Sequence, residues 1–411
     1  MKISFVQPYY RNIWEAIGVG YLGGYVKKCL PDTEMNFFQA YFDNDETIIK
    51  GCLDSDVVAF STTSPSFNHG LQLATKLKTL NKNIKIVFGG WHVSALYSEI
   101  QYDIIDHIVV GEGEAALVSI LNGARDKVIV GTKLGFDQLA WPDRHLIKNH
   151  RTIDLCEKAI GLRVASFQSN RVCPMSCAYC TERSVSGRFN RETNPIRYRD
   201  SKDIFDEIES VVADFNINYF KLVDATFDSS KDHVISFCEE KIKRGLYIDW
   251  ECMIHANFID EETMKYLKMA GCNQIDIGCE SGSPKLLKDM RKGTTIEKIS
   301  QVFQWAKTND IKRRAFFILG MPNETEDDYK LTEDLIDRIR PDIVGFTILC
   351  PYPGSDFYSR ETYGSIDWSQ TDEYSNDFWR TTALTNIELK DKQRTLTNKY
   401  KDSLCFRQKD V

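Results

Sequence analysis

No stretch of the 411 residues approaches the roughly 18 consecutive apolar residues that a membrane-spanning helix needs, and the opening MKISFVQPYYRNIW lacks the three-zone layout of a signal peptide. A cytoplasmic address is expected, with no membrane partner. A long basic block is missing too, and the net charge is -7, which argues against nucleic acid as a partner and favours small molecules. The 12 cysteines do not make a disulfide framework, because nine of them stand singly in a long chain and mostly in apolar surroundings. Most are expected to be buried thiols. What is present is an ordinary globular composition, 42% hydrophobic and 27% charged, in a chain longer than one core usually organises, so two domains are expected.

The first third alternates short apolar runs with helical patterns. Strands are expected at 2–8, 34–40, 56–61, 84–88 and 107–110, with helices near 19–29, 67–80 and 114–122. This βαβ series predicts a doubly wound, flavodoxin- or Rossmann-like parallel sheet, whose ligand sits beyond the carboxyl ends of the strands. At those ends lie Ser61, Thr62 and Thr63, then Gly89, Gly90 and Trp91, then Gly111 and Glu112. Paired glycines admit a bulky ligand and hydroxyls can bond its polar tail. Taken singly, each feature equally serves a helix cap or a tight turn.

Taken together, VGYLGGYVKK, DVVAFSTTS, FGGWHVSALYSEI and IDHIVVGEGEAAL resemble the amino-terminal cobalamin-binding domain that precedes many radical S-adenosylmethionine enzymes. The resemblance implies cobalamin, contacted by the strand-end residues just named. One departure matters: cobalamin proteins with a histidine on the cobalt carry D-x-H-x-x-G after the first strand, and here the loop is YYRNIWEAIG. No histidine of this loop can reach the metal, and His92, beside a Gly-Gly turn, is expected to be packed or hydrogen-bonded. A domain kept as a scaffold without the corrin stays open. Residues 131–160, with the turn Trp141-Pro142-Asp143, are taken as a linker between a 1–130 domain and a 161–365 domain, and FDQLAWPDRHLI resembles the family's linker.

The densest chemistry is VCPMSCAYCTER, where Cys173, Cys177 and Cys180 fall within eight residues. Thiolates at C-x-x-x-C-x-x-C spacing let one loop wrap an iron-sulfur cluster, and three ligands for four irons leave one iron open. Structural zinc needs a fourth ligand, and no second C-x-x-C or histidine pair occurs in the next 50 residues. A thioredoxin-like motif would leave Cys173 without a role. Strands are expected at 163–168, 219–223, 248–253, 274–278, 315–319 and 342–349, with helices between them, including capping boxes at Thr294/Glu297 and Thr325/Asp328. Six such units predict a partial (β/α)6 barrel with the cysteine loop on its catalytic rim.

CPMSCAYC, DIGCESGS, FFILGMPNET and CPYPGSDFY look like successive signatures of the radical S-adenosylmethionine superfamily. The resemblance implies a 4Fe-4S cluster on Cys173, Cys177 and Cys180, with S-adenosylmethionine on the fourth iron. It places Tyr179 near the adenine, Glu280 and Ser281 near the ribose and amino-acid portion, and Gly320 to Glu324, including Pro322, against the adenine. The usual Gly-Gly-Glu is replaced by Asp224-Ala225-Thr226, so Asp224 either holds the methionine amine or caps the next turn. His255 could move a proton or be structural, Cys279 could face the site or pack the core, and Arg197 and Arg199 match basic family positions or pair with carboxylates. Trp368, Tyr374, Phe378 and Trp379, in a closing segment 366–411, either cap the barrel or pack ordinarily. The implied activity is reductive cleavage of S-adenosylmethionine to a 5'-deoxyadenosyl radical, most often for cobalamin-dependent methylation of an unactivated carbon. A small-molecule or peptide substrate and an electron donor such as flavodoxin or ferredoxin follow as partners. Rearrangement, cyclisation or other transfer, and a non-catalytic cobalamin or cluster sensor, are the alternatives.

Overall fold

The computed structural model of the protein describes residues 1–188, 190–372 and 374–401. They form two compact units, one built from Met1–Asp154, Thr181–Arg188 and Tyr352–Asp372, the other from the remaining described residues.

The first unit is a six-stranded parallel sheet of β1 (Lys2–Gln7), β2 (Glu34–Gln39), β3 (Val57–Ser61), β4 (Lys85–Gly89), β5 (His107–Val110) and β6 (Val128–Val130). Helices α1 (Ile17–Cys29), α2 (Asp45–Cys52), α3 (Ser64–Leu80), α4 (Trp91–Leu96) and α5 (Glu114–Leu121) connect them. The order β2-β1-β3-β4-β5-β6 reverses between β1 and β3, so the carboxyl ends of those strands flank the crevice where such a sheet binds its ligand. The strands are apolar on both faces because both faces are covered. Ile3, Phe5, Val57, Ala59 and Val87 pack with α1 and α5, while Val6, Val58, Phe60, Ile86 and Phe88 pack with α2 and α3.

This sheet has one strand more than the five expected. β6 is only three residues long with two of them exposed, too short for a periodic signal. The segment before residue 155, expected as linker, packs on this unit instead. Gly20, Gly23 and Gly24 leave α1 a flat stripe on which Ala140 to Ile147 seat, and a Cβ on Gly24 would run into the Trp141 carbonyl oxygen. Residues 352–372, expected partly in the barrel and partly in the tail, also belong here. Asn68 of α3 donates to Asp367, and Arg360 pairs with Glu99.

The chain enters the second unit within α6 (His150–Ile160). After β7 (Val164–Phe167), a short antiparallel pair, β8 (Asn170–Arg171) and β9 (Arg197–Tyr198), brackets the cysteine loop in sequence. β10 (Tyr219–Leu222), β11 (Asp249–Ile254), β12 (Cys272–Glu280), β13 (Lys312–Leu319) and β14 (Ile343–Ile348) then join β7 in one parallel sheet in chain order. Between them run α7 (Ser201–Phe215), α8 (Lys231–Arg244), α9 (Glu261–Met269), α10 (Pro284–Asp289), α11 (Ile296–Thr308) and α12 (Glu326–Ile339). This is the expected (β/α)6 arrangement. Along β11 Trp250, Cys252 and Ile254 are buried whereas Glu251 and Met253 are more open, so the strand turns one face to its helices and the other to the barrel interior.

Side-chain caps set the helix starts: Asp200, Ser230 and Asp260 accept from the first turns of α7, α8 and α9, and Thr325 and Asp328 form the expected capping box. The start of α11 differs from the Thr294/Glu297 reading. Thr295 is the cap and accepts from Lys298 N, because adjacent threonines offer the same hydroxyl and only the turn before the helix selects between them. Among the described residues no helix is long and apolar enough to cross a membrane. Of the closing segment 366–411, residues 402–411 lie outside the described residues.

Candidate active site

The cysteine loop begins where the chain leaves β7. Asp224, two residues past β10, is buried beneath this exit. Its Oδ1 accepts from Ser169 N at 2.7 Å and Asn170 N at 2.8 Å, and its Oδ2 from Ser169 Oγ at 2.6 Å. Burial pushes the Asp224 carboxyl up to about 6, against the pull of those bonds. All three bonds run back to the β7 exit, so Asp224 fastens the strand end that leads to the cysteines and does not cap the turn after it. Val172, the residue before Cys173, has φ 82° and is buried. A β-branched residue in the left-handed region is strained by roughly 1–2 kcal/mol and persists only where packing holds it.

The loop is docked on the segment from Gly278 to Gly293. Ala178 N donates to Met290 O at 2.9 Å. Tyr179 OH donates to Glu280 Oε1 at 2.7 Å, and Lys292 Nζ donates to the same oxygen at 2.8 Å while lying 3.3 Å from the Tyr179 hydroxyl. Gly278 makes room for this knot, since a Cβ there would collide with the Glu280 carboxylate and stand 2.7 Å from Lys292 Nζ. Glu280 itself sits at φ 62°, where the β12–β13 register slips between Gly278 and Glu280. A bulge of this kind re-aims a side chain beside a site.

Cys177 is buried and Cys173 and Cys180 are half-buried. Burial pushes the Cys177 thiol up, and the nearby Lys292 ammonium works against it. Burial and then the Glu280 charge hold the Tyr179 phenol well above its usual value. For Lys292 burial acts downward, but the Glu280 carboxylate and Cys177 outweigh it and the ammonium is held above its ordinary value. Three thiols on one loop beside a buried cation fit an iron-sulfur cluster, whose ligands are thiolates. Among the described residues no three His, Cys, Asp or Glu side chains converge on one ion.

Both ring nitrogens of His255 are engaged. Its Nε2 donates to Lys292 O at 3.0 Å, its Nδ1 accepts from Asn257 N at 3.2 Å, and burial pulls it down to about 4, so a neutral ring ties β11 to the Lys292 turn. Cys279 is fully buried, and burial pushes its thiol far up, which marks core packing. Arg199 is buried and paired with Asp203 and Glu207. Asp228, which sequence reasoning passed over, is fully buried. Its Oδ1 accepts from Thr226 Oγ1 at 2.7 Å and His255 N at 2.9 Å, while its Oδ2 has no partner. Lys292 was missed as well, since its role depends on a partner twelve positions back at Glu280 and on Tyr179.

Ser281 is buried, and its Oγ accepts from Ser283 N at 3.1 Å. The loop after β13 is built by its own backbone. Glu324 Oε2 accepts from Gly320 N at 2.5 Å and Met321 N at 3.0 Å, and burial pushes that carboxyl up to about 7. Gly320 O accepts from Trp379 Nε1 at 2.7 Å, and Pro322 O from Thr382 Oγ1 at 2.9 Å. The four tail aromatics divide between the units. Trp379 covers Gly320, whereas Trp368 stacks with Tyr352 at 5.8 Å in the first unit.

In the first unit the expected rim is only partly open. Ser61, Gly89, Gly90 and Gly111 are half-buried, and Thr63 and Trp91 are exposed. Thr62 is buried, its Oγ1 donating to Gly89 O at 3.1 Å, and Glu112 is buried too. Thr63 Oγ1 lies 3.1 Å from Ser66 Oγ, capping α3. His92 is buried 3.0 Å from Ser64 Oγ and against the Phe67 ring, with burial pulling it down to about 4. His69 is also engaged, by Tyr9 N at 2.8 Å and Asp45 Oδ1 at 2.9 Å. A Cβ at Gly89 would make only ordinary contact with Val109, so the backbone there, beside the half-buried Ser61, leaves room at the strand end.

Residues 168–336 match the family model of the Radical SAM superfamily, and residues 9–121 match that of the B12 binding domain. The chain is 27% identical over 429 residues to the anaerobic magnesium-protoporphyrin IX monomethyl ester cyclase of Cereibacter sphaeroides, covering 95% of this chain and 69% of that one. It is 23% identical over 340 residues to the bacteriochlorophyllide d C-12(1)-methyltransferase of Chlorobaculum tepidum, covering 80% and 71%. The structure of the radical S-adenosylmethionine methyltransferase TsrM of Kitasatospora setae, solved with cobalamin and a 4Fe-4S cluster, shares its fold at a TM-score of 0.70 and 18% identity, covering 86% and 77%. The chain thus belongs to the radical SAM superfamily, as a member that carries a B12 binding domain ahead of its radical SAM domain.

Proposed function

We propose that this enzyme methylates an unactivated carbon of a small-molecule or peptide substrate. Its cofactors are a 4Fe-4S cluster, S-adenosylmethionine and cobalamin, which together supply electron transfer, a 5'-deoxyadenosyl radical and a methyl carrier. The observation that carries the reading is the three-cysteine loop pinned at the strand ends of a (β/α)6 barrel by Tyr179, Glu280 and Lys292, in one chain with a B12 binding domain. Cys173, Cys177 and Cys180 hold the cluster. Glu280, whose Oε1 is taken by Tyr179 and Lys292, offers Oε2 to the ribose and amino-acid portion of the cosubstrate. Ser281 supports that turn from within. The Gly320–Glu324 loop, its backbone groups already bonded, offers the adenine a preformed surface at Gly320 and Pro322. Ser61, Thr63, Gly89, Gly90, Trp91 and Gly111 line the corrin site, with Thr62 and Glu112 buried in support. A reductant is required, and flavodoxin or ferredoxin fits that role.

A second reading, radical ring closure, rests on the likeness to the cyclase. Both are tested by anaerobic incubation of reconstituted protein with hydroxocobalamin, a chemical reductant and S-adenosylmethionine carrying a deuterated methyl group. 5'-Deoxyadenosine above a Cys173→Ala control, together with a labelled corrinoid, is expected. Deoxyadenosine without labelled corrinoid would favour ring closure, and no deoxyadenosine above the control would refute radical chemistry.

A further inference from the structure

Lys292 is 7% exposed and Glu280 is 7% exposed, and their ion pair lies against the cysteine loop. A buried ion pair is weak support for stability, because desolvation of both groups offsets most of their attraction and apolar packing of the same volume often does as well. The pair is not the loop's sole anchor, since the Ala178 N–H bond to Met290 O docks the same turn. What an apolar substitute would lack is a fixed charge with an orientation. The Lys292 ammonium lies 3.3 Å from the hydroxyl of Tyr179, which stands between Cys177 and Cys180 in the loop. The charge is therefore fixed against the cysteine loop. The His255 ring, bonded to the Lys292 carbonyl, is neutral and adds no opposing charge.

We propose that Lys292 is a positioning residue whose fixed positive charge raises the reduction potential of the cluster held by Cys173, Cys177 and Cys180, with Glu280 anchoring and moderating that charge. The inference rests on the reading of the loop as the cluster site. Reduction adds one negative charge to the cluster, and a cation held against the ligand loop in a poorly screened interior stabilises the reduced form more than the oxidised one. Removing the cation makes the electron harder to add; removing its carboxylate partner makes it easier. A merely structural pair has no such opposition of sign.

The test is the midpoint potential of the reconstituted protein, without S-adenosylmethionine, in a redox titration followed by electron paramagnetic resonance. Lys292→Met is expected to shift the midpoint to more negative values, Glu280→Gln to more positive ones, and Lys292→Arg to leave it near the parent. The double variant should fall between the two singles. Shifts of Lys292→Met and Glu280→Gln in the same direction, or no shift in either, overturn the inference. If Lys292→Met takes up too little iron to titrate, Glu280→Gln decides alone, and an unchanged or lowered midpoint overturns it. A parent protein that binds no iron-sulfur cluster overturns the cluster reading and this inference together, whereas a loaded parent with unresponsive variants overturns this inference only.

Discussion

Asp228 shows how the barrel end perturbs a single group. An aspartate titrates near 3.9 in an unfolded chain, and burial pushes Asp228 up to about 7 while its Oδ2 goes without a partner. The folded state therefore binds this proton more tightly than the unfolded state does. Stability from this group is fully present below about pH 4 and is lost as pH rises toward 7, a change on the order of 4 kcal/mol by linkage. Asp228→Asn removes the ionisation, so its unfolding free energy relative to the parent's should be higher at pH 8 than at pH 5 by about 2–3 kcal/mol, measured by urea titration of the cofactor-free protein. A difference that does not vary with pH would contradict the assignment. Gly278 offers a second residue-scale check. Gly278→Ala pushes a methyl into the Glu280 carboxylate and the Lys292 ammonium, so the reconstituted variant should hold several-fold less iron than the parent, by iron and sulfide analysis.

At the scale of elements, α1 separates two uses of glycine on one helix. Gly18 has nothing within 4 Å of a built Cβ, whereas Gly24 lies against the Trp141 carbonyl. Gly18→Ala removes the backbone-entropy disadvantage of glycine inside a helix and should stabilise the protein by about 0.5–1 kcal/mol. Gly24→Ala must force α1 off the segment carrying Trp141 and should destabilise by about 1–3 kcal/mol. Chemical denaturation of the two variants side by side checks both signs. This contrast was not legible in IGVGYLGGYVKK, because the glycines look alike until residues 140–147 fold back on them. The strands were legible: in both sheets their apolar runs mark one covered face or two. β6 escaped because three residues carry no period, and the α11 cap was misplaced by one because Thr294 and Thr295 differ only in where the turn puts them.

Across the whole chain, distant segments complete the local loops. Trp379 reaches back 59 positions to bond Gly320 O, and the last helix, Asn386–Lys399, packs beside β14. Trp379→Phe keeps a ring but loses this bond. S-adenosylmethionine should then bind roughly tenfold more weakly, about 1.4 kcal/mol and comparable to the net worth of one hydrogen bond, with little change in iron content. Equilibrium dialysis of the unreduced, cluster-loaded protein against labelled cosubstrate measures it, and unchanged affinity would remove the tail from the site. The cysteine spacing of VCPMSCAYC and the two βα layouts were readable from sequence alone, because residue spacing and hydrophobic period are local properties. Tertiary structure decided that Asp224 is committed to Ser169 and Asn170, that Glu280 shares its oxygen between Tyr179 and Lys292, and that residues 352–372 belong with the first unit. Each of these is a pairing of groups far apart in the chain, and such groups acquire partners, burial and shifted proton affinities only when the fold brings them together.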